Sequence, residues 1–315
     1  MKTSLICTVL NEEATINSFL HSIAKQTINP EEIIIVDGGS TDKTLAVIAR
    51  SLKPLRQSLP IKIVSKKGNR STGRNEAIKH AKGEIILSTD AGCIADKDWI
   101  KNIIEPFKNS GVDVVAGYYK GNAKSLFQKC LIPYVLIMPD KINTDNFLPA
   151  GRSMAFRKTI WKKAGSFNEK YSHNEDYVFA KDLKKIGAKI VFKKDAIVYW
   201  IPRDNLRQSF YMFFRFAYGD AEARIFRPKV ILLFTRYILG LLLFSFYIIS
   251  KSTLILDSLL LVLCFYIFWA INKNYKYVHH IGAFYILPMI QFAADLAVII
   301  GTIFGMFRFL NNDNR

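Results

Sequence analysis

From Val230 onward the chain is close to continuous apolar sequence, and nothing else in it restricts the fold as strongly. Three segments follow one another, at 230–250, 253–271 and 283–307. At ~1.5 Å of rise per residue, the first two approach the length that crosses a ~30 Å hydrocarbon layer, and the third exceeds it. Three such lengths in succession are rare among the buried helices of a small soluble fold, so 228–315 reads as a membrane region. Arg236 lies roughly 9 Å into the first segment, shallow enough for its side chain to reach the interface. Gln291 and Asp295 fall inside the third, where an unpaired charge is costly, so they should face another helix, with Arg236 a candidate partner; a protonated Asp295 is the other reading. The loop 272–282 carries Lys273 and Lys276 with His279 and His280, whereas the first short loop carries only Lys251. Basic residues stay on the cytoplasmic side. The expected topology is therefore a cytoplasmic domain, three transmembrane helices in the inner membrane, and an external C-terminus.

Residues 1–227 read differently. Short apolar runs at 4–10, 32–36, 61–64 and 84–88 alternate with helical spacing at 14–25, 41–52 and 70–81. Strands alternating with helices imply parallel βαβ units with both sheet faces covered. In such sheets ligands sit beyond the carboxyl ends of the strands. The polar clusters 8–12, 37–42 and 90–93 all fall there, which makes that edge the expected site. Further on come a strand at 114–119, an apolar run at 131–138 and a short run at 153–156. Helices near 158–164 and 176–186 and a late strand at 190–198 complete this part.

The net charge of +18 admits nucleic acid, anionic lipid or a phosphorylated small molecule as partner. No run of Lys and Arg is long enough for a nucleic-acid arm, so nucleic acid is set aside. Arg203, Arg207, Arg215, Arg224, Arg227 and Lys229 gather just before the apolar region. That placement suits either lipid headgroups or a solvated surface. The stretch 209–227 mixes aromatic and basic residues, as an interfacial amphipathic helix does, or a helix packed on the sheet. Cys7, Cys93, Cys130 and Cys264 have no metal or redox spacing, which fits a reducing compartment. No secretory leader is read at the N-terminus, so the first domain is expected in the cytoplasm.

Six segments carry a resemblance. TVLNEE ends the first strand, IIIVDGGSTDKT the second, GRNEAI opens a helix and TDAGC ends the fourth strand. GSFNE and NEDYVF follow in the same order. Together they resemble family-2 inverting glycosyltransferases of the membrane-anchored bacterial type. The resemblance covers about residues 3–227 and implies an α/β, GT-A type nucleotide-sugar-binding domain with a mostly parallel sheet. It also implies a hexosyltransferase-like enzyme that uses a nucleotide diphosphate sugar, UDP-linked in this reading. The acceptor would be a lipid-linked or envelope glycan, alongside other enzymes of envelope polysaccharide synthesis.

The residues can be read beside that resemblance. Asp37 ends a strand, where its carboxylate can accept the imide N–H of a base; an ordinary Asx turn is the other reading. Gly39 lets backbone approach a flat ligand. Thr8, Asn11 and Glu12 lie on the first strand-end loop, and the resemblance puts them at the nucleoside pocket. Arg74 opens a helix and can donate to a base carbonyl or the diphosphate. Asp90 and Ala91 begin what is normally an Asp-x-Asp motif, whose second Asp holds Mg²⁺ or Mn²⁺ against the donor. Here Gly92 takes that second place, so Asp90 contacts the ribose or a metal, with Asp96 or a later residue completing a metal site. Basic side chains are the alternative to a cation, with Arg203, Arg207 and Arg215 as candidates. Asp176 is the expected general base, because inversion needs a carboxylate to take the acceptor's proton. Glu175 serves structure or acceptor binding. Gly151 and His173 are assigned to the acceptor or diphosphate side.

Three other functions compete. Transfer to a polyprenyl phosphate would need no base, since that nucleophile is already an anion. A non-catalytic nucleotide-sugar sensor would explain Gly92 but not Asp176. Nucleotidyl transfer would want a Gly-rich, Lys-containing loop near the N-terminus, and the sequence has none there.

Overall fold

A computed structural model describes residues 1–52, 59–171 and 173–312. In chain order it begins β1 (Thr3–Val9), α1 (Ile16–Ala24), β2 (Glu32–Asp37), α2 (Thr44–Ser51), β3 (Ile61–Ser65), α3 (Arg70–His80) and β4 (Ile85–Ser88). Then come β5 (Cys93–Ala95), α4 (Trp99–Ile104), β6 (Val114–Gly121), α5 (Leu126–Val135), β7 (Met154–Arg157) and α6 (Lys158–Lys163). They are followed by α7 (Glu175–Lys185), β8 (Ile190–Trp200) and α8 (Leu206–Glu222). The long helices α9 (Pro228–Ser250), α10 (Thr253–Tyr275) and α11 (Ala283–Asn312) close the chain.

The eight strands form one sheet in the order β3-β2-β1-β4-β7-β6-β8-β5. β1 is flanked by β2 and β4 and pairs parallel with both; β2 pairs parallel with β3 and β6 with β8. The antiparallel pairs are β4–β7, β6–β7 and β5–β8, so the sheet is mostly parallel. The central strands are apolar on both faces, as a doubly covered sheet requires: Leu5, Ile6, Ile33 to Val36 and Ile85 to Leu87 are buried. Phe156, Phe167 and Phe179 lock β7, the loop after α6, and α7 into one aromatic cluster, with Phe167 and Phe179 centroids 4.2 Å apart. Because β1, β2 and β4 are neighbours running in one direction, the polar residues at their carboxyl ends converge on one edge.

The chain divides into two compact units: Met1–Asn122 with Leu136–Ile201, and Ala123–Val135 with Pro202–Arg315. The first holds the whole sheet. The second holds α5 and α8 to α11. Three of its helices are long and apolar enough to cross a membrane. The apolar run read at 131–138 belongs in part to α5, whose Tyr134 hydroxyl donates to the Leu287 carbonyl at 2.8 Å. α8 sits with this second unit, laid along the C-terminal half of α11. A Cβ at Gly305 would come 2.5 Å from the Tyr218 carbonyl, and one at Gly301 would fall against the Phe214 carbonyl. Glycine at both places lets the two helix backbones meet. Arg236, the candidate partner named from the sequence, donates to Asp295 at 2.9 Å, and Tyr237 and Gln291 add bonds of 3.0 and 2.9 Å. Tyr266 also donates to Asp295.

Candidate active site at the strand ends

The loop after β1 is knotted to the loop after β2. Asn11, held at φ 54°, accepts from the Thr41 amide at 2.9 Å and receives Ser40 Oγ on its own N–H at the same distance. The Glu12 amide donates to Thr44 Oγ1 at 2.7 Å. Asp37 is 2% exposed, and its carboxylate accepts from the amides of Gly39 and Ser40 at 3.2 Å. That is an Asx turn, so the turn-capping geometry read from the sequence is present, whatever else Asp37 does. Gly39 has φ +99°, in the region that favours glycine. Thr8 faces α3, where a Cβ on Gly73 would lie 2.7 Å from its methyl; glycine there lets the helix approach β1.

Arg74, on the first turns of α3, is 3% exposed. Its guanidinium donates to Asp90 at 2.9 Å and to Glu175, and it lies 5.5 Å from the centre of the Phe167 ring. It therefore bridges the carboxylate at the end of β4 and the first residue of α7. Gly151 makes room for it, since a Cβ there would collide with the guanidinium. Burial opposes the charge on Asp90, yet Arg74, then Arg70 and Arg152, hold its carboxyl below the ordinary value. Burial, followed by the Asp90 carboxylate, pushes the neighbouring thiols of Cys7 and Cys93 up, so both stay protonated and neither is a nucleophile.

The adjacent acids of α7 point apart. Glu175 is 3% exposed and paired inward to Arg74. Asp176 is half-buried, and accepts from the Gly151 amide and from the Tyr177 amide, each at 2.8 Å. Ala91 is buried, while a side chain at Gly92 would meet nothing within 4 Å. Asp90, Arg74, Glu175, Gly151 and Asp176 thus form one connected group, with Thr8, Asn11, Glu12, Asp37 and Gly39 along the same edge. His173 lies in the loop just before α7. Arg203, Arg207 and Arg215 belong to the second unit, the latter two on the exposed face of α8.

Sequence reasoning missed a second layer. Asn75 donates to the Phe167 carbonyl and to Glu169, both at 2.8 Å, and accepts from the Phe167 amide at 3.0 Å. Asn69 caps α3 through the Thr72 amide and donates to the carbonyls of Glu169 and Tyr171. These two asparagines tie the GSFNE segment to α3 and so set where α7 begins. The adjacency of Asn75 to Arg74 was the available signal. Arg152 was missed as well; it lies over the rings of Tyr119 and Trp200, with centroid distances of 5.7 and 5.5 Å.

A family model described as Glycosyl transferase family 2 matches residues 4–162, half of the chain. The protein belongs to that family and is a glycosyltransferase. It is 29% identical over 218 residues to a poly(ribitol-phosphate) beta-glucosyltransferase of Bacillus spizizenii, covering 66% of this chain but only 34% of that protein. It is 24% identical over 238 residues to the O-antigen chain rhamnosyltransferase RfbN of Salmonella typhimurium, covering 67% of this chain and 71% of that one. Among solved structures, the mannosyltransferase PcManGT of Pyrobaculum calidifontis, in complex with GDP-Man and Mn²⁺, superposes with a TM-score of 0.66. At 17% identity, over 95% of this chain and 87% of that one, this is a likeness of fold.

Proposed function

We propose that this glycosyltransferase moves a sugar, with inversion, from a nucleoside diphosphate sugar to a hydroxyl of a lipid-linked or envelope glycan acceptor. The observation that carries the reading is the split of the α7 acid pair. Glu175 is consumed by the buried Arg74, whereas Asp176 keeps a half-buried carboxylate oriented by two backbone amides. Such a carboxylate suits a general base. It takes the acceptor hydroxyl's proton as that oxygen attacks the anomeric carbon from the face opposite the departing diphosphate. Arg74 positions the base through Glu175 and Gly151. Asp37, buried beside Gly38 and Gly39, is the group for the base's imide, which favours a uracil nucleotide. The relatives named above act, by their names, on poly(ribitol-phosphate) and O-antigen chains, and the apolar helices suit an acceptor held at a membrane. A cytoplasmic face of the inner membrane would give the site access to nucleotide sugars.

The residues present would give a divalent cation few protein ligands. On substrate phosphates, Mg²⁺-type ions keep several waters and use only one or two carboxylates. Asp90 already gives one oxygen to Arg74, Gly92 gives none, and no cluster of three His, Cys, Asp or Glu side chains exists among the described residues. An ion here would rest on the donor's own phosphates and on Asp90 alone.

The test is Asp176→Asn. Sugar transfer should fall by about 10²–10⁴-fold, while affinity for the nucleoside diphosphate stays near wild type. Full transfer by the variant would remove Asp176 as base and favour a phosphate acceptor, which needs no deprotonation.

A further inference from the structure

The leaving diphosphate needs a cation, and the usual second carboxylate for a metal is Gly92 here. Arg74 is 3% exposed and its charge is already paired with both Asp90 and Glu175. Arg152 is placed differently. It follows Gly151, the residue whose amide holds the Asp176 carboxylate. Its guanidinium rests over Tyr119, near the end of β6, and over Trp200, the last residue of β8. Trp200 pairs with Cys93, which directly follows the Asp90-Ala91-Gly92 loop. Arg152 therefore stands beside that loop on one side and beside the base on the other.

How Arg152 is held matters as much as where. No hydrogen bond or ion pair joins it to another described residue; aromatic faces alone position it. Stacking fixes the plane of a guanidinium without using its N–H groups. All five donors remain in the plane, in the fork that matches phosphate oxygens two at a time. Its charge reaches Asp90, where it is one of three arginines that favour the ionised carboxylate. An arginine kept for structure alone would usually spend these donors on a carboxylate or on carbonyls, as Arg74 and Arg157 do.

We propose that Arg152 binds the donor's diphosphate and carries the charge of the departing nucleoside diphosphate, in the role a metal held by a second carboxylate would fill. This rests on the donor reading above. In the transfer, a bond forms between the acceptor oxygen and the anomeric carbon. The bond from that carbon to the β-phosphate oxygen breaks, and its electron pair leaves on the diphosphate. The acceptor's proton goes to Asp176, and Arg152 stays protonated throughout.

The experiment measures binding of UDP, GDP and their nucleosides to the full chain in detergent, by calorimetry and competition, in excess EDTA and with Mn²⁺. Wild type should bind one of the two nucleotides in EDTA. Arg152→Ala should weaken that binding by about 10- to 100-fold, the weight of one charge-assisted contact to an anion, and leave the nucleoside unchanged. Arg152→Gln, which keeps bulk between the two rings, should lose diphosphate binding as Arg152→Ala does. Equal loss for nucleotide and nucleoside in both variants would make Arg152 a structural clamp and overturn the proposal. So would wild-type diphosphate affinity in either variant, or wild-type binding that vanishes in EDTA and returns with Mn²⁺. If neither nucleotide binds wild type with or without Mn²⁺, the donor reading itself fails.

Discussion

At the scale of single residues, the site is built from charges whose partners are fixed. Glu175 and Arg74 are both almost fully enclosed, with side chains 4% and 3% exposed. Breaking a buried pair by removing one partner typically costs about 3–5 kcal/mol, because the remaining charge is left uncompensated. Glu175→Gln should therefore lower unfolding free energy by an amount of that order, read from denaturant melts, and should reduce transfer through the displaced α7 start. Asp90 supplies a pH signature. Its folded value is depressed by Arg74, Arg70 and Arg152 against the opposing effect of burial. A depressed carboxyl stabilises fully above its unfolded value of ~3.9 and loses that contribution as pH falls through the lower folded value. Wild type should thus keep its Asp90 contribution at about pH 5 and shed it below about pH 4, whereas Asp90→Asn should show a shallower acid slope in denaturant midpoint. An identical slope would mean Asp90 carries no linked proton. The placement of Asp37 and Asp90 at strand ends was legible from local pattern, and that of Asp176 at a helix start from the family resemblance. The Arg74–Glu175 contact and the stacking of Arg152 were not, since they join residues far apart in the chain, and no periodicity encodes such pairs.

At the scale of elements, the sequence reads long periodic segments well and short ones poorly. β1, α1, β2, α2 and α3 fall within a few residues of their expected places, because apolar runs and helical spacing alternate cleanly there. β5 has three residues, too few for any alternation to register. α5 carries Pro133 and reads as a mere apolar run. α8 reads as an amphipathic stretch at 209–227 that could serve a membrane interface or pack on the sheet; its grouping with α11 depends on Gly301 and Gly305, which composition does not reveal. Those glycines yield a test. Gly301→Leu must push α8 away from α11, and overpacking of a close contact costs about 1–3 kcal/mol. Gly240→Leu on α9 has open space around its Cβ and serves as the control. The first variant should lose thermal stability in detergent and the second should not. Equal melting of the two would show that α8 and α11 do not need close approach.

At the scale of the whole molecule, the question is how often the chain crosses the membrane. Three apolar lengths give three crossings, and the basic loop at 272–282 then places the C-terminus outside. The packing argues for two. α9 and α10 leave their apolar surfaces open, with 6% of each span buried within the protein, against 50% for α11. α11 is half covered because α8 lies along its later turns, where Arg308 reaches Tyr218 at 3.0 Å and Glu222 at 3.5 Å. α8 presents Arg207 and Arg215 on its exposed face. Arginines at the centre of a bilayer cost about 2.5 kcal/mol or more each, so α8 belongs at the interface or in water. The part of α11 that Gly301 and Gly305 fasten to α8 must lie there with it. On that placement the α9–α10 hairpin is the expected membrane-crossing element, against the three candidate spans that length and composition allow. The Asp295 cluster, fed by Arg236, Tyr237, Tyr266 and Gln291, joins α11 to the hairpin at a depth where each polar group has a partner. Two crossings return the chain to the side it left. A reporter fused after Arg315 should be active in the same compartment as one fused before Met1, and selective labelling of an introduced cysteine at Ser252 should require reagent on the opposite side. A C-terminal reporter active only on the side opposite the N-terminal one would restore three crossings and place α8 against a span after all.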